Sequence, residues 1–257
     1  MVLSNRLGVL PTSRQLILKQ QLQFAGAEAA AFSPADLDDL ELWYDFSDPS
    51  TLFTDAGVTP VSGDGDKVYQ VNDKSGNGLN ALQTDSDERS LYKVNIQNSL
   101  SALSNNGNYS GYGLSNLSIA ADLYILAVLQ LGSVSWEPLV RGSGGDDGST
   151  IQFQSTTAIR FRSGGSNSKS IYSGSFSTGA FYLWEIRRLS DDLKIWQNGV
   201  DVTDGAQTDD GTAFDISDFI FNFPGYLGEL LVYSQAVSGG DQSNLRAYAK
   251  DKWGVYE

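Results

Sequence analysis

The side chains of this 257-residue chain that could do chemistry are carboxylates and arginines, because it contains no histidine and no cysteine. Without cysteine there are no disulfides and no thiolate chemistry. Without histidine the usual general base of nucleophilic triads and the commonest metal ligand are gone. Zinc, haem and serine-hydrolase chemistry are excluded together. What remains is acid–base work by paired carboxylates, which needs two acids roughly 5–10 Å apart. On one strand that means acids at i, i+2 or i, i+4, pointing to one face. Glu185 has Arg187 and Leu189 at those positions, so it reads as the ion-pair partner of Arg187 or a neighbouring arginine. Asp36, Asp38, Asp39 and Glu41 have paired spacing but form a solvated, charge-rich lead into the first strand. The expectation is that the chain is not an enzyme.

Acids also pair in loops, at Asp64/Asp66, Asp146/Asp147 and Asp209/Asp210. A hard cation wants six to eight oxygens. Asp64-Gly65-Asp66 starts like a calcium loop, but Val68 stands where an oxygen ligand is required. No cofactor is expected, with calcium at one of these pairs kept open; each pair alone is more often a plain turn. Carbohydrate recognition combines an aromatic platform with polar hydrogen-bonding groups. The loop-rich stretch 134–176 carries Trp136, Arg141, Asp146, Asp147 and Tyr172, with Arg160, Arg162 and Asn167 nearby, and is the candidate glycan-binding region. Against this, strand aromatics are commonly core and loop charges commonly face solvent.

The elements that must position these groups are strands. From Leu37 onward, short apolar runs alternate with Gly, Asn, Asp and Ser turns, the pattern of a sandwich or barrel. Leu40–Phe46 alternates with period two, whereas Leu123–Leu129 is almost continuously apolar, as a central strand covered on both faces would be. Phe181–Ile186 and Leu193–Trp196 flank Ser190-Asp191-Asp192 as a hairpin. Asn198-Gly199 suits a type I′ turn, which needs positive φ at both central residues. Leu227–Tyr233 reads as a further strand. After Ser238, the spacing of Leu245, Tyr248, Ala249 and Trp253 puts them on one face of a short C-terminal helix.

Residues 1–33 are different in character. Pro11 followed by Thr12 or Ser13 opens a helix to about Ala30, with Leu16, Ile17, Leu22 and Phe24 among its apolar positions. Such a helix is marginal alone and needs a partner surface, so this segment is expected to be an anchoring arm. Its alternative is a helix lying on its own domain. Lys19 and several glutamines interrupt it, and it does not read as a secretory signal. The formal charge of −14 repels phosphate backbones and anionic lipid, so neither nucleic acid nor membrane is an expected partner.

Two stretches resemble a known family. The first is Leu42-Trp43-Tyr44-Asp45-Phe46-Ser47-Asp48, with Asn72-Asp73-Lys74-Ser75-Gly76-Asn77-Gly78-Leu79-Asn80-Ala81 after it. The second is Gly228-Glu229-Leu230-Leu231-Val232-Tyr233-Ser234-Gln235-Ala236-Val237, running into Lys252-Trp253-Gly254. Together with the hairpin around Trp196-Gln197-Asn198-Gly199-Val200 they are similar to concanavalin A-like, laminin G-like domains of phage virion and bacterial surface proteins. The likeness covers residues 37–257. It implies an all-β, two-sheet antiparallel jelly-roll sandwich over 34–257, with about six or seven strands in each sheet, behind an N-terminal helical arm.

The shared residues are read as architecture: Trp43 and Trp253 packing the first strand against the helix, Asp73, Ser75 and Asn77 holding a turn, and Glu229 accepting backbone or arginine hydrogen bonds. Glycan hydrolases of this fold carry a Glu-x-Asp-x-(x)-Glu strand, and none is present here. The family's glycan-contacting roles do not carry over to individual residues. The resemblance therefore points to a structural or adhesive virion component of a tailed phage, of tail-fibre, tail-tip or capsid-decoration type. In that reading the arm binds other virion proteins, the domain faces host surface glycans, and the protein is a homo-oligomer. The alternatives are a free or cell-surface lectin and, last, a glycan hydrolase.

Overall fold

The computed structural model describes residues 31–105, 111–143, 148–164, 168–220 and 224–256. The chain divides into two compact units, Met1–Ser33 and Pro34–Glu257. Leu16, Ile17, Leu22 and Phe24 of the expected arm lie outside the described residues.

Strands are numbered in chain order. Sheet A runs, in spatial order, β15 (Val200–Asp201), β14 (Asp192–Gln197), β13 (Phe181–Leu189), β8 (Leu123–Leu131), β18 (Gly225–Tyr233), β6 (Leu100–Ser104) and β5 (Leu91–Gln97). In addition β1 (Leu40–Asp45) pairs with β18, and β16 (Gln207–Thr208) with β14. Sheet B runs β12 (Ser168–Ser170), β11 (Ala158–Arg162), β10 (Thr150–Ser155), β9 (Glu137–Arg141), β17 (Phe214–Ile220), β7 (Gly111–Ile119), β4 (Ala81–Leu82), β3 (Gln70–Val71) and β2 (Leu52–Phe53). Among the described residues both sheets are antiparallel and nine-stranded, wider than the six or seven expected. The difference comes from two-residue strands such as β2, β3, β4, β15 and β16. They are too short for alternation to show in a turn-rich sequence.

The sheets pack face to face. From sheet A the core takes Leu42 and Tyr44 of β1, Ile125, Ala127 and Leu129 of β8, Trp184 and Ile186 of β13, and Leu230 and Val232 of β18. Sheet B adds Val140, Ile151, Phe153, Phe161, Phe214, Ile216 and Phe219. Aromatic rings interlock here: Tyr112 stacks on Phe219 at 4.9 Å, and Trp184 lies 5.3 Å edge-on to both Phe153 and Phe176. β8 is buried on both faces because it sits between β13 and β18 and is roofed on its other side by helix α1 (Gly239–Trp253). The β13–β14 hairpin and the Asn198-Gly199 turn, with φ of 50° and 75°, form as the sequence predicts.

At one end of the sandwich a fully buried ion pair closes the layers. Arg188 Nη1 donates to Asp209 Oδ2 and to the carbonyl of Thr212, both at 2.7 Å, while its Nε and Nη2 donate to the Ala121 and Ile119 carbonyls. Ser163 donates to Asp209 Oδ1 at 2.7 Å. Asp209, considered above as a calcium ligand, is thus satisfied by an arginine.

Candidate functional site

Directly opposite residues of an antiparallel pair share a face, so the register defines what each sheet turns outward. On sheet A one outward row is Leu183–Val128–Glu229–Asp45, and the next is Trp196–Glu185–Leu126–Leu231–Trp43. α1 docks on these rows. Glu229 is fully buried and accepts from Trp43 Nε1 (2.8 Å), Trp253 Nε1 (2.7 Å), the Tyr248 hydroxyl (2.7 Å) and Lys252 Nζ (3.0 Å). Its partners are indoles, a phenol and a lysine, not the expected backbone or arginine groups. Glu185, also fully buried, accepts from the Tyr124 hydroxyl (2.6 Å), Gln242 Nε2 (2.8 Å) and Arg246 Nε (2.8 Å). Its arginine is Arg246 of the helix. Arg187 bonds Asp192 instead and lies over Trp196.

Asp45 completes the buried network, bonded to Lys74 Nζ and Lys252 Nζ, each at 2.9 Å. Burial pushes its pKa up, but Lys252, Ser47 and Lys74 outweigh this and hold it below the usual aspartate range. Burial and the Glu229 charge push the Tyr248 hydroxyl far above its ordinary value. Trp43 and Trp253 do pack the first strand against the helix, through their shared carboxylate. Asp73 accepts from the Trp43 and Ser75 amides, and Asn77 Nδ2 donates to the Leu40 and Glu41 carbonyls, so that loop is pinned to β1. The carboxylates of Glu229, Glu185 and Asp45 are each met by several donors of the fold.

Sheet B has no covering helix among the described residues. One register row crosses it without a break: Ser168, Arg162, Thr150, Arg141, Asp218, Gly113, Leu82, Gln70. Gly113 and Leu82 are exposed, and Leu82 shows 39% of its surface to solvent. The Arg141 and Asp218 side chains are each about a third exposed, and Nη2 stands 3.7 Å from Oδ2, an ion pair too long to be a hydrogen bond. Ser217 donates to Asp218 Oδ2 at 3.1 Å and to the Arg141 carbonyl at 3.4 Å, tying β17 to β9. A bulge between Ile216 and Asp218 turns Asp215 and Asp218 to the same outward side, since Phe214, Ile216 and Phe219 all enter the core.

Trp136, just before β9, is 60% exposed and has φ of 60°, a left-handed conformation uncommon for a bulky residue. Its carbonyl accepts from Gln152 Nε2 at 2.8 Å, which holds the backbone there. Glu137 beside it is held above the usual carboxylate range by burial.

Of the five sequence-predicted glycan residues, Arg141 lies on this row and Trp136 is exposed at the start of its strand. Tyr172 is a correction: it is buried among Phe176, Trp184 and Gln197, its hydroxyl donates to Gln197 Oε1, and burial pushes its pKa up to about 12. An aromatic in a turn-rich stretch gives no sign of which layer it enters. Asp146, Asp147 and Asn167 lie outside the described residues. Arg162 is buried, donating to the Gly148 carbonyl. Asp64 pairs with Lys93 at 2.6 Å and Asp66 accepts from the Ser62 and Gly63 amides, so this pair makes turns. Among the described residues no group of three or more acidic side chains converges as a metal site. Sequence reading missed Asp218 and Gly113, which only register aligns with Arg141; Thr150 shares the row but is buried, its hydroxyl donating to the Val140 carbonyl.

No protein-family profile and no curated protein sequence matches the chain. Solved structures do. Trypanosoma rangeli sialidase in complex with sialic acid is similar at 12% identity and a TM-score of 0.54, over 95% of this chain and 39% of that one. Domain 4 of AbnA, a GH43 extracellular arabinanase from Geobacillus stearothermophilus, in complex with arabinotriose, is similar at 16% identity and 0.53, over 82% of this chain and 98% of that one. A mutant GH54 α-L-arabinofuranosidase soaked with 4-nitrophenyl α-L-arabinofuranoside gives 16% and 0.51, over 70% and 50%. The chain thus spans about two fifths of the sialidase chains it matches. At these identities the likeness is one of fold: a two-sheet antiparallel β-sandwich with a C-terminal helix, of a kind found in carbohydrate-active proteins. This corrects the expectation of a chain that is not an enzyme, because the matched structures are glycoside hydrolases and a domain of one. The even-spacing search along single strands considers one strand at a time and does not register a bulge such as the one between Ile216 and Asp218.

Proposed function

We propose that this chain is a carbohydrate-recognition domain whose glycan lies across the uncovered face of sheet B. The observation that carries this reading is the outward row through Arg141, Asp218, Gly113 and Leu82, in which Arg141 and Asp218 are partly exposed and Gly113 and Leu82 exposed. It offers a guanidinium and a carboxylate on a rigid sheet, with Trp136 exposed at the start of β9 as a surface on which a sugar ring can stack. The arabinotriose complex of the AbnA domain, nearly all of which this chain covers in fold, supports the same ligand class.

The test is calorimetric titration with arabinotriose and a panel of plant, bacterial-surface and sialylated oligosaccharides, with products followed by chromatography. Binding that falls at least tenfold in Arg141→Met and Trp136→Ala is the expected result. Binding that survives both changes, or no binding across the panel, overturns it. Release of shorter sugars, lost in Asp218→Asn or Asp215→Asn, would assign hydrolysis to the same face.

The biological setting we propose is a concanavalin A-like jelly-roll adhesin of a tailed-phage particle. Residues 1–33 would attach to other virion proteins, copies would associate, and sheet B would meet host surface glycans. The distinct composition of residues 1–33 supports it. Quantifying the intact chain and one starting at Ser33 in purified particles tests it: incorporation that does not depend on residues 1–33 overturns the arm's role.

A further inference from the structure

This inference rests on the reading that sheet B's outer face holds a glycan, and it concerns Gly113 in β7. Glycine weakens a strand: it packs nothing and has the most backbone freedom to lose. It is kept in sheets where φ must be positive or where another group comes close. Gly113 meets neither condition. Its φ is not in the left-handed region, and a Cβ there would meet only Asp218 Oδ1 at 3.7 Å, an ordinary contact. Gly228 of β18 shows the contrast, because a Cβ there would stand 2.8 Å from the Trp253 ring. Packing demands Gly228 and leaves Gly113 unexplained.

The bare backbone at Gly113 leaves a slot on the outer face of sheet B, since a Cβ there has Asp218 Oδ1 as its one neighbour within 4 Å. Asp218 is its register partner on one side and the exposed Leu82 on the other, with Arg141 one strand beyond Asp218. The chemistry of these walls is selective. A sugar hydroxyl both donates and accepts, so it can satisfy a carboxylate and a guanidinium together; a sugar carboxylate or sulfate only accepts, and would face the Asp218 charge. The Arg141–Asp218 pair is neutral as a unit, and the chain as a whole carries −14. We propose that the slot over Gly113 seats one ring of an uncharged glycan. Asp218 accepts from the ring's hydroxyls, Arg141 donates to them, and Leu82 packs against the ring's C–H face.

Gly113→Val tests this directly, since a β-branched residue suits a strand and the space for its Cβ is open. The expected result is a thermal midpoint equal to or above that of the original chain, with affinity for neutral oligosaccharides such as arabinotriose down at least tenfold. Gly113→Ala is expected to fall between the two. Unchanged affinity in a folded Gly113→Val protein, with Arg141→Met still losing it, overturns the slot and leaves the sheet-face reading intact. If Gly113→Val does not fold, Gly113→Ala with unchanged affinity overturns the slot in the same way. Stronger binding of sialyllactose than of any neutral sugar overturns the ligand class. Absence of binding to either overturns slot and face together.

Discussion

Glu229 and Asp218 are both acids on the outward side of a strand, in sheets of equal width, and their surroundings differ completely. Glu229 lies in the row Leu183–Val128–Glu229–Asp45 under the C-terminal helix, and four donors meet its carboxylate. Asp218 lies partly exposed in the row Arg141–Asp218–Gly113, with one loose ion pair and a hydroxyl. The glycines repeat the contrast: Gly228 lets an indole lie on sheet A, and Gly113 leaves sheet B open. A polar group whose capacity is exhausted by its own fold serves stability, and one left partly satisfied at the surface is available to a ligand. That difference picks out the site here.

The comparison can be broken most directly at Glu229. Glu229→Ala strands two indole N–H groups and a phenol donor around a buried vacancy and leaves Lys252 with Asp45 as its one carboxylate, and a loss of about 3–5 kcal/mol is expected in urea unfolding. A midpoint close to that of the original chain would remove the distinction between the faces.

Gly228→Ala comes next. Its Cβ would press on the Trp253 ring, and overpacking of this kind costs about 1–3 kcal/mol. A thermal scan that shows Gly228→Ala as stable as Gly113→Ala would show that the helix side gives way more easily than its packing implies.

Acid sharpens the contrast further. Asp45 has its folded pKa depressed by Lys252, Ser47 and Lys74 against the opposing effect of burial, and Asp48 is lowered similarly through Ser50 and Lys74. Their stabilisation is complete above the ordinary aspartate pKa of about 3.9 and is lost as pH falls through the lower folded values. Denaturation midpoints should therefore hold steady down to about pH 5 and decline below about pH 4, less steeply in Lys252→Met. An equal slope in that variant would remove Lys252 from the account.

The smallest effect belongs to sheet B. Asp218→Asn should change unfolding free energy by no more than about 0.5 kcal/mol, as a surface pair does. A larger loss would make Asp218 a structural acid like Glu229.

Much of this fold is legible in the residues. The period-two run of β1, the continuously apolar β8, the hairpin at Ser190-Asp191-Asp192 and the Asn198-Gly199 turn each follow from local rules of burial and φ, and each is present. The helical face of Leu245, Ala249 and Trp253 is buried as its spacing requires. The short strands at the sheet edges are not legible, because two residues carry no periodicity. Nor is the fate of Tyr172, since the same aromatic can serve a core or a surface and only its layer decides.

The sequence by itself determined the class of structure and what the chemistry could not be. Alternation, turn residues and the absence of histidine and cysteine are local or compositional properties, and they act wherever the chain goes. Only the tertiary structure decided which acids are consumed and which are offered. That choice depends on register and on where one helix lies. Register aligns Arg141, Asp218 and Gly113 from three strands distant in sequence, and the helix that covers Glu185 and Glu229 lies on sheet A, while Gly113 and Leu82 of sheet B are exposed.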